Sequence, residues 1–153
     1  MIERFEEYLA DIDATTALRE RIERALGWYL RVAGDQAEAI HVSEQAGDEG
    51  SRVYEALWIF AAGSASEVSL VGDEVSVDEV STLGNIARWE LKARDYDFGD
   101  PTAAARCTLE ITFRNDQFGY LNASGKNCRW LVQLTKQRVS PGIIGRSGSM
   151  APN

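Results

Sequence analysis

The sequence predicts an α+β domain that opens with two helices, continues as a mostly antiparallel sheet and closes with a third helix. Apolar residues recur at helical spacing over residues 2–32, the period shortens to two from residue 37, and helical spacing returns over residues 127–139. A chain of 153 residues has the usual length of one domain with its own core. The predicted parts are a single domain over residues 1–140, divided into a helical front (1–34), a sheet (37–124) and a C-terminal helix (127–139), and a flexible tail (141–153).

The two front helices are predicted from apolar stripes and from a capping sequence between them. The first stripe steps by 3, 4 and 3 residues and consists of Ile2, Phe5, Leu9 and Ile12. Asp13, Thr15 and Thr16 offer N-cap oxygens for the second helix, and Gly34 is expected to end it. The second stripe consists of Leu18, Ile22, Ala25, Tyr29 and Val32. We expect both stripes to pack on the protein's own sheet.

Strands are predicted wherever the apolar period falls to two or a short apolar run occurs. Gly-containing links separate several of these segments and favour hairpin turns, so a meander of about seven strands is expected. In the two clearest strands, the series through Trp89 and Cys107 is predicted to face the core, whereas Arg88, Lys92, Glu110 and Arg114 face water. The predicted strands cover residues 39–42, 53–60, 67–71, 75–77, 87–94, 107–114 and 120–123.

A helix with one apolar face is predicted after the last strand. Asn127 is expected to cap it, and Pro141-Gly142 to stop it. The apolar face consists of Cys128, Leu131, Val132, Thr135 and Val139. The residues that follow are rich in Gly, Ser and Pro without periodicity, which predicts the flexible tail.

This layout, about seven antiparallel strands closed by one C-terminal helix from Ala37 to Val139, resembles the pleckstrin-homology (PH) superfold, including its bacterial members. Residues 118–131 look like the last strand and the start of the capping helix of such a domain. The resemblance implies a partly open barrel, to which the two front helices are an addition. The first hairpin lacks the run of Lys and Arg that phosphoinositide-binding members use. The resemblance therefore does not imply that this chain binds lipid headgroups. The alternative is the cone-shaped fold of the nuclear-transport-factor-2-like (NTF2-like) group, which also opens with helices but ends on long strands.

Composition excludes several classes of protein. The longest apolar run, residues 56–62, is far shorter than the roughly 20 residues of a membrane helix, so no membrane insertion is expected. The N-terminus carries acids where a signal peptide carries basic residues. Cys107 and Cys128 lack the spacing of a zinc site, and two cysteines are too few for a secreted disulfide scaffold. We therefore predict a cytoplasmic protein with reduced thiols.

The charge of the chain is strongly uneven. The net charge of −8 divides into −7 over residues 1–50, −6 over residues 51–116 and +5 over residues 117–153. An acidic chain repels nucleic-acid phosphates, so nucleic-acid binding is not expected. The basic C-terminal segment is predicted to dock an acidic surface, either on a protein partner or on the front helices of a second copy of this chain. The predicted binding residues are Lys126, Arg129, Lys136 and Arg138.

Catalytic and metal-binding chemistry is sparse in this sequence. His41, the only histidine, lies in an apolar run, and we expect it on the polar face of a strand rather than as a general base. Asp95, Asp97 and Asp100 share a short segment but lack the later ligands of an EF-hand, so a solvated loop is expected. No cofactor and no metal site are predicted.

The sequence therefore predicts a non-enzymatic interaction or regulatory domain that recognises another macromolecule, with a protein as the expected partner. One alternative is a small hydrolase or isomerase of NTF2-like fold, in which a carboxylate and His41 share an internal pocket. Another is an acidic mimic of nucleic acid, whose carboxylates would repeat on one face at the spacing of phosphates.

Overall fold

The computed structural model describes residues 2–34, 36–45, 53–71, 77–94 and 106–140, which contain three α-helices and seven strands. In chain order these are α1 (Phe5–Asp11), α2 (Thr16–Ala33), β1 (Ala39–Glu44), β2 (Tyr54–Ala61), β3 (Ser64–Ser69), β4 (Val77–Thr82), β5 (Ile86–Arg94), β6 (Arg106–Phe113), β7 (Phe118–Ser124) and α3 (Lys126–Leu134), which continues as a π-helical turn (Thr135–Val139). Every strand pair is antiparallel, so the predicted α+β class is confirmed. The predicted tail and the segment with Asp95, Asp97 and Asp100 lie outside the described residues.

The strands of the described ranges form two sheets and no closed barrel. One sheet has the order β1-β2-β3-β4 and the other the order β5-β6-β7, so the predicted single meander is wrong at the step from β4 to β5. A short 3-10 turn, Leu83–Asn85, makes this step. Leu83 N donates to Gly63 O at 2.7 Å, and Arg114 N donates to Asn85 O at 2.7 Å. The 3-10 turn is therefore bonded to the β2–β3 hairpin of the first sheet and to the end of β6 in the second sheet. The chain leaves the first sheet at this turn and continues as β5 of the second sheet.

Two apolar clusters join the layers. The front core lies between the two front helices and one face of the first sheet, and it contains Tyr8, Leu9, Ile12, Ile22, Ala25, Tyr29, Ile40, Val42, Leu57, Ile59, Ala61, Val68 and Leu70. The inner core includes the other face of that sheet, the second sheet and α3, and it contains Trp58, Phe60, Ala65, Leu83, Ile86, Cys107, Leu109, Ile111, Phe113, Leu121, Ala123, Cys128, Leu131, Leu134 and Val139. Alternate residues of β2 enter different clusters, as the two-residue period of a strand requires.

The helical stripes are confirmed over most of their length. Thr15 is the N-cap of α2, where its Oγ1 accepts from Leu18 N at 3.1 Å, and Gly34 ends the helix with a φ of 75°. Val32 is the exception in the second stripe, because it is 62% exposed. Burial on α2 stops at Tyr29, about one turn before the helix ends. No helix within the described ranges is long and apolar enough to cross a bilayer.

The predicted inward face is confirmed for β6 but only in part for β5. On β6 the predicted inward residues Cys107, Leu109, Ile111 and Phe113 are all buried. On β5, Trp89 and Leu91 are only half-buried and Ala87 and Ala93 are exposed, because β5 is an edge strand with a neighbour on one side only. The predicted outward residues Arg88, Lys92 and Arg114 are exposed, whereas Glu110 is half-buried and accepts from Lys92 Nζ at 3.2 Å.

The predicted cap of α3 is wrong. The N-cap position is Gly125, two residues before Asn127, where φ is 57° and no side chain caps the helix. Asn127 is instead buried within the first turn. Its Nδ2 donates to Val42 O at 3.1 Å, and its Oδ1 accepts from the Tyr8 hydroxyl at 2.9 Å. The residue bonds across the protein rather than along its own helix, which a local capping pattern does not reveal.

Candidate functional site

The four predicted binding residues occupy two sides of the C-terminal helix. Lys126, Arg129 and Lys136 are exposed, and we call these three the basic face. Arg138 is half-buried, and its Nη1 donates to Glu38 Oε1 at 2.6 Å. The structure therefore brings three of the four cations to solvent and pairs the fourth with the segment before β1.

Arg138 borders a small cleft between the start of α1, the start of β1 and the C-terminal helix. The cleft has a volume of about 170 Å³. The Arg4 guanidinium lies over the Trp130 ring at 4.5 Å from its centroid, and Trp130 Nε1 donates to Asp11 Oδ2 at 2.8 Å. These contacts attach α1 to the C-terminal helix. With its volume of about 170 Å³, the cleft is smaller than the roughly 300–1,000 Å³ that is typical of ligand pockets.

A larger groove lies between α1 and α2, and we call it the front groove. Its volume is about 670 Å³, within the range of roughly 300–1,000 Å³ that is typical of ligand pockets. Leu30 on its wall is 51% exposed. The apolar lining consists of Ile2, Phe5, Leu26, Leu30 and Ala37.

Charged side chains border the front groove in fixed pairs. Arg4 Nε donates to Glu7 Oε2 at 2.7 Å, and this hydrogen bond holds the pKa of the Glu7 carboxyl below its usual value. Arg19 Nε donates to Glu23 Oε1 at 2.7 Å, and the same guanidinium binds Glu6 and lowers the pKa of that carboxyl. The lining thus contains the carboxylates of Glu6, Glu7 and Glu23, each paired with an arginine, and Arg4 is the one cation that lines it among the described residues.

His41 does not lie where the sequence predicted it. The ring is buried at the seam between the two sheets, not on a solvated polar face. Its Nε2 is 3.0 Å from Asn122 O on β7. Burial lowers the pKa of the imidazole from 6.5 to about 4, so the ring is neutral at pH 7. A buried neutral histidine bonded to a main-chain carbonyl has the geometry of a structural residue rather than that of a general base.

The same seam contains a buried hydrogen-bond network. Ser43 Oγ accepts from Asn122 N at 3.0 Å, and Glu44 Oε2 accepts from Ser124 N at 2.7 Å. Side chains of β1 thus satisfy the free edge of β7, which would otherwise leave its main-chain groups unpaired. The network positions the sheets and leaves no open polar pocket at these residues.

Within the described part of the chain, no group of three or more His, Cys, Asp or Glu side chains could hold a metal ion. Comparison of this chain with protein-family models, with curated proteins and with solved structures finds no match. The candidate site therefore depends on the geometry of the chain itself.

The front groove was not predicted from the sequence. Leu26 and Leu30 are separated by one helical turn on α2, beside the buried stripe through Ile22, Ala25 and Tyr29. This second apolar row was the available signal. It was missed because a stripe that is wider than one row is also typical of an ordinary core-facing helix.

Proposed function

We propose that this chain is a non-enzymatic interaction or regulatory domain of PH-like layout that recognises another protein, with the cytoplasm as its compartment. The order of elements supports the layout, because sheets of four and three antiparallel strands precede a C-terminal helix. The two front helices are the addition that distinguishes this chain from that layout, and they carry the surface on which the proposal depends.

The front groove is the observation that carries the function. A row of apolar side chains stays open between two helices, and such a groove is suited to the apolar face of a partner helix. Exposed apolar surface bordered by polar groups is typical of protein interaction sites.

The basic face of α3 is proposed as a second contact region that docks an acidic surface. Arg129 and Lys136 are seven residues apart, and Lys126 lies in the first turn of the same helix. Part of this region is a π-helical turn, a feature that is frequent at functional sites. The front helices of a second copy are a weaker acceptor, because residues 1–34 hold seven acidic and five basic side chains, several of them paired.

The alternatives find less support in the geometry. A hydrolase or isomerase would need His41 in an internal pocket, whereas its ring is bonded to β7 within a packed seam. A mimic of nucleic acid would need a row of unpaired carboxylates, whereas Glu6, Glu7 and Glu23 on the front helices are each bonded to an arginine.

Capture from a native cell extract tests the proposal with two matched variants of α2. Leu30→Glu places a charge in the apolar groove, while Val32→Glu places the same charge on the same helix outside the groove lining. Both residues are at least half exposed, so both variants should fold, as their melting temperatures would verify. We expect mass spectrometry to identify a protein that binds the wild type and Val32→Glu equally well. The same protein should bind Leu30→Glu at least about tenfold more weakly.

Equal binding of that protein to both variants would exclude the front groove as the contact surface. Failure of the wild-type chain to retain any protein above the level of a blank resin would contradict the proposed function itself.

A further inference from the structure

The C-terminal helix ends beside the front groove. In its π-helical turn, Arg138 donates from Nη1 to Glu38 Oε1 at 2.6 Å, and Ala37, the residue before Glu38, lines the groove. The small cleft beside Arg138 also shares Ile2 and Arg4 with the groove. The two hollows are therefore neighbours, and the chain leaves the helix next to them.

The sequence that follows the helix contains an apolar pair and a cation. Pro141-Gly142 disfavours a continued helix, Ile143 and Ile144 come next, and Arg146 follows after one glycine. These residues lie outside the described part of the chain. Ile143 and Ile144 are five and six residues after Arg138, and an extended chain covers about 17–20 Å over that length. Because this helix end is already bonded to the segment before β1, that length is enough to bring the pair to the groove.

We propose that residues 143–146 occupy the front groove of their own chain, with Ile143 and Ile144 against its apolar lining and Arg146 at its charged border. The segment uses the protein-binding surface of the proposed function, on which this inference rests, and competes there with the partner protein. The free chain is therefore autoinhibited, and release of the segment opens the groove to the partner.

The groove offers apolar surface that the segment can cover. Leu30 is 51% exposed on its wall, and contact with Ile143 and Ile144 removes such surface from water. The covalent connection favours the segment over a free ligand, because a short linker gives an effective concentration on the order of millimolar. A partner at lower concentration therefore meets a filled groove unless it binds much more tightly than the segment.

Among the described side chains, the border of the groove keeps one negative charge. Its three carboxylates share only two guanidiniums, because Arg19 is bonded to both Glu6 and Glu23. Arg146 supplies one positive charge and therefore matches this border.

Nuclear magnetic resonance of the isotope-labelled full chain tests the contact without any partner. We expect nuclear Overhauser effects between the methyl groups of the two isoleucines and the side chains of Phe5 and Leu30. Val32→Glu should keep the effects to Phe5, whereas Leu30→Glu should abolish them because it places a charge in the apolar lining. Absence of the effects in the wild type, or their persistence in Leu30→Glu, would overturn the proposal.

Capture of the partner protein tests the competition. If the segment fills the groove about 80% of the time, about one fifth of the chains is open to the partner. Ile143→Ser/Ile144→Ser should then bind the partner about fivefold more tightly than the wild type does. Met150→Ser changes an apolar residue beyond the proposed contact and should bind it as the wild type does. Equal binding by all three chains would show that the segment does not compete with the partner.

The two experiments separate the occupied groove from the proposed function. A wild type that captures a partner while its isoleucines lack the expected contacts contradicts only the occupied groove. A wild type that shows the contacts and retains no protein contradicts the proposed function and leaves the occupied groove in place.

Discussion

At the scale of single residues, His41 illustrates how tertiary packing sets the chemistry of a side chain. Its imidazole is 1% exposed, and its Nε2 faces Asn122 O at 3.0 Å. A carbonyl oxygen can only accept a hydrogen bond, so Nε2 carries the hydrogen. Burial disfavours the imidazolium and lowers the pKa of the ring to about 4. The folded protein therefore keeps this histidine neutral under conditions in which an exposed histidine is partly charged.

This burial predicts a specific loss of stability in acid. The pKa of His41 is about 4 in the folded state against an ordinary value of 6.5, so the unfolded chain binds more protons between these pH values. The contribution of His41 is complete above pH 6.5 and decreases as the pH falls toward 4, by about 3 kcal/mol in total. Urea unfolding of the wild type and of His41→Gln, above pH 6.5 and near pH 4, measures it.

Carboxylates titrate in both proteins, so the comparison isolates the histidine. The wild type should lose about 3 kcal/mol more than His41→Gln over this range. An equal loss in the two proteins would show that His41 is solvated or charged in the folded state.

At the scale of secondary-structure elements, the C-terminal helix combines a packed side with a charged one. Leu131, Leu134 and Val139 enter the inner core, whereas Lys126 and Lys136 remain exposed. Arg138 is bonded to Glu38, so replacing Arg138 by an acid would oppose two carboxylates and disturb the fold. The two lysines are therefore better probes of the proposed docking of acidic surfaces.

We expect the double variant Lys126→Glu/Lys136→Glu to associate more slowly with the captured partner at low ionic strength. Loss of charge attraction acts mainly on the association rate, and salt should remove the difference. The melting temperature should change by about 2 °C or less, because the two substitutions have opposite effects on the helix dipole. Stopped-flow or surface-based kinetics at two salt concentrations give the rates.

Lys126→Arg/Lys136→Arg is the matched control, since it keeps both charges on the same helix. Its association rate should equal that of the wild type. If the acidic variant also associates at the wild-type rate, the basic face is a solvated helix surface.

At the scale of the whole molecule, buried hydrogen bonds tie α1 to the first sheet and to the C-terminal helix. The Tyr8 hydroxyl of α1 donates to Asn127 Oδ1 at 2.9 Å and accepts from Val42 N at 2.7 Å. Burial raises the pKa of this hydroxyl, which therefore stays protonated and able to donate. One side chain thus connects the first helix, the first sheet and the C-terminal helix.

Removing this hydroxyl should weaken the whole fold. Tyr8→Phe leaves the Val42 N–H and one Asn127 oxygen without this partner in the interior, so the free energy of unfolding should fall by about 1–3 kcal/mol. Tyr120→Phe, at a tyrosine that is 53% exposed, is the control and should change it by about 0.5 kcal/mol or less. Urea unfolding measures both values.

Tryptophan fluorescence and far-UV circular dichroism should follow a single transition in both variants, because the clusters share β2. Transitions of the two signals that do not coincide would mean that parts of the protein unfold separately.

Local patterns predicted most of the elements of this protein, but the strand predicted over 75–77 shares only Val77 with β4, and the strand predicted over 67–71 begins three residues after β3 does. The stripes through Leu9, Ile22 and Leu131 placed the helices, and the alternation through Leu109 placed β6, because burial on one side of an element imposes its period on the sequence. The uneven charge likewise located the basic residues of the C-terminal helix.

Only the tertiary structure decided where these elements meet. The division into two sheets follows from hydrogen bonds of Leu83 and Asn85 to distant turns, and the burial of His41 and Asn127 follows from partners on other elements. The front groove combines residues of α1, of α2 and of the segment before β1, and only folding brings these together. Periodicity reports which side of an element is buried. It carries no information about which other element covers that side, and the candidate site depends on this pairing.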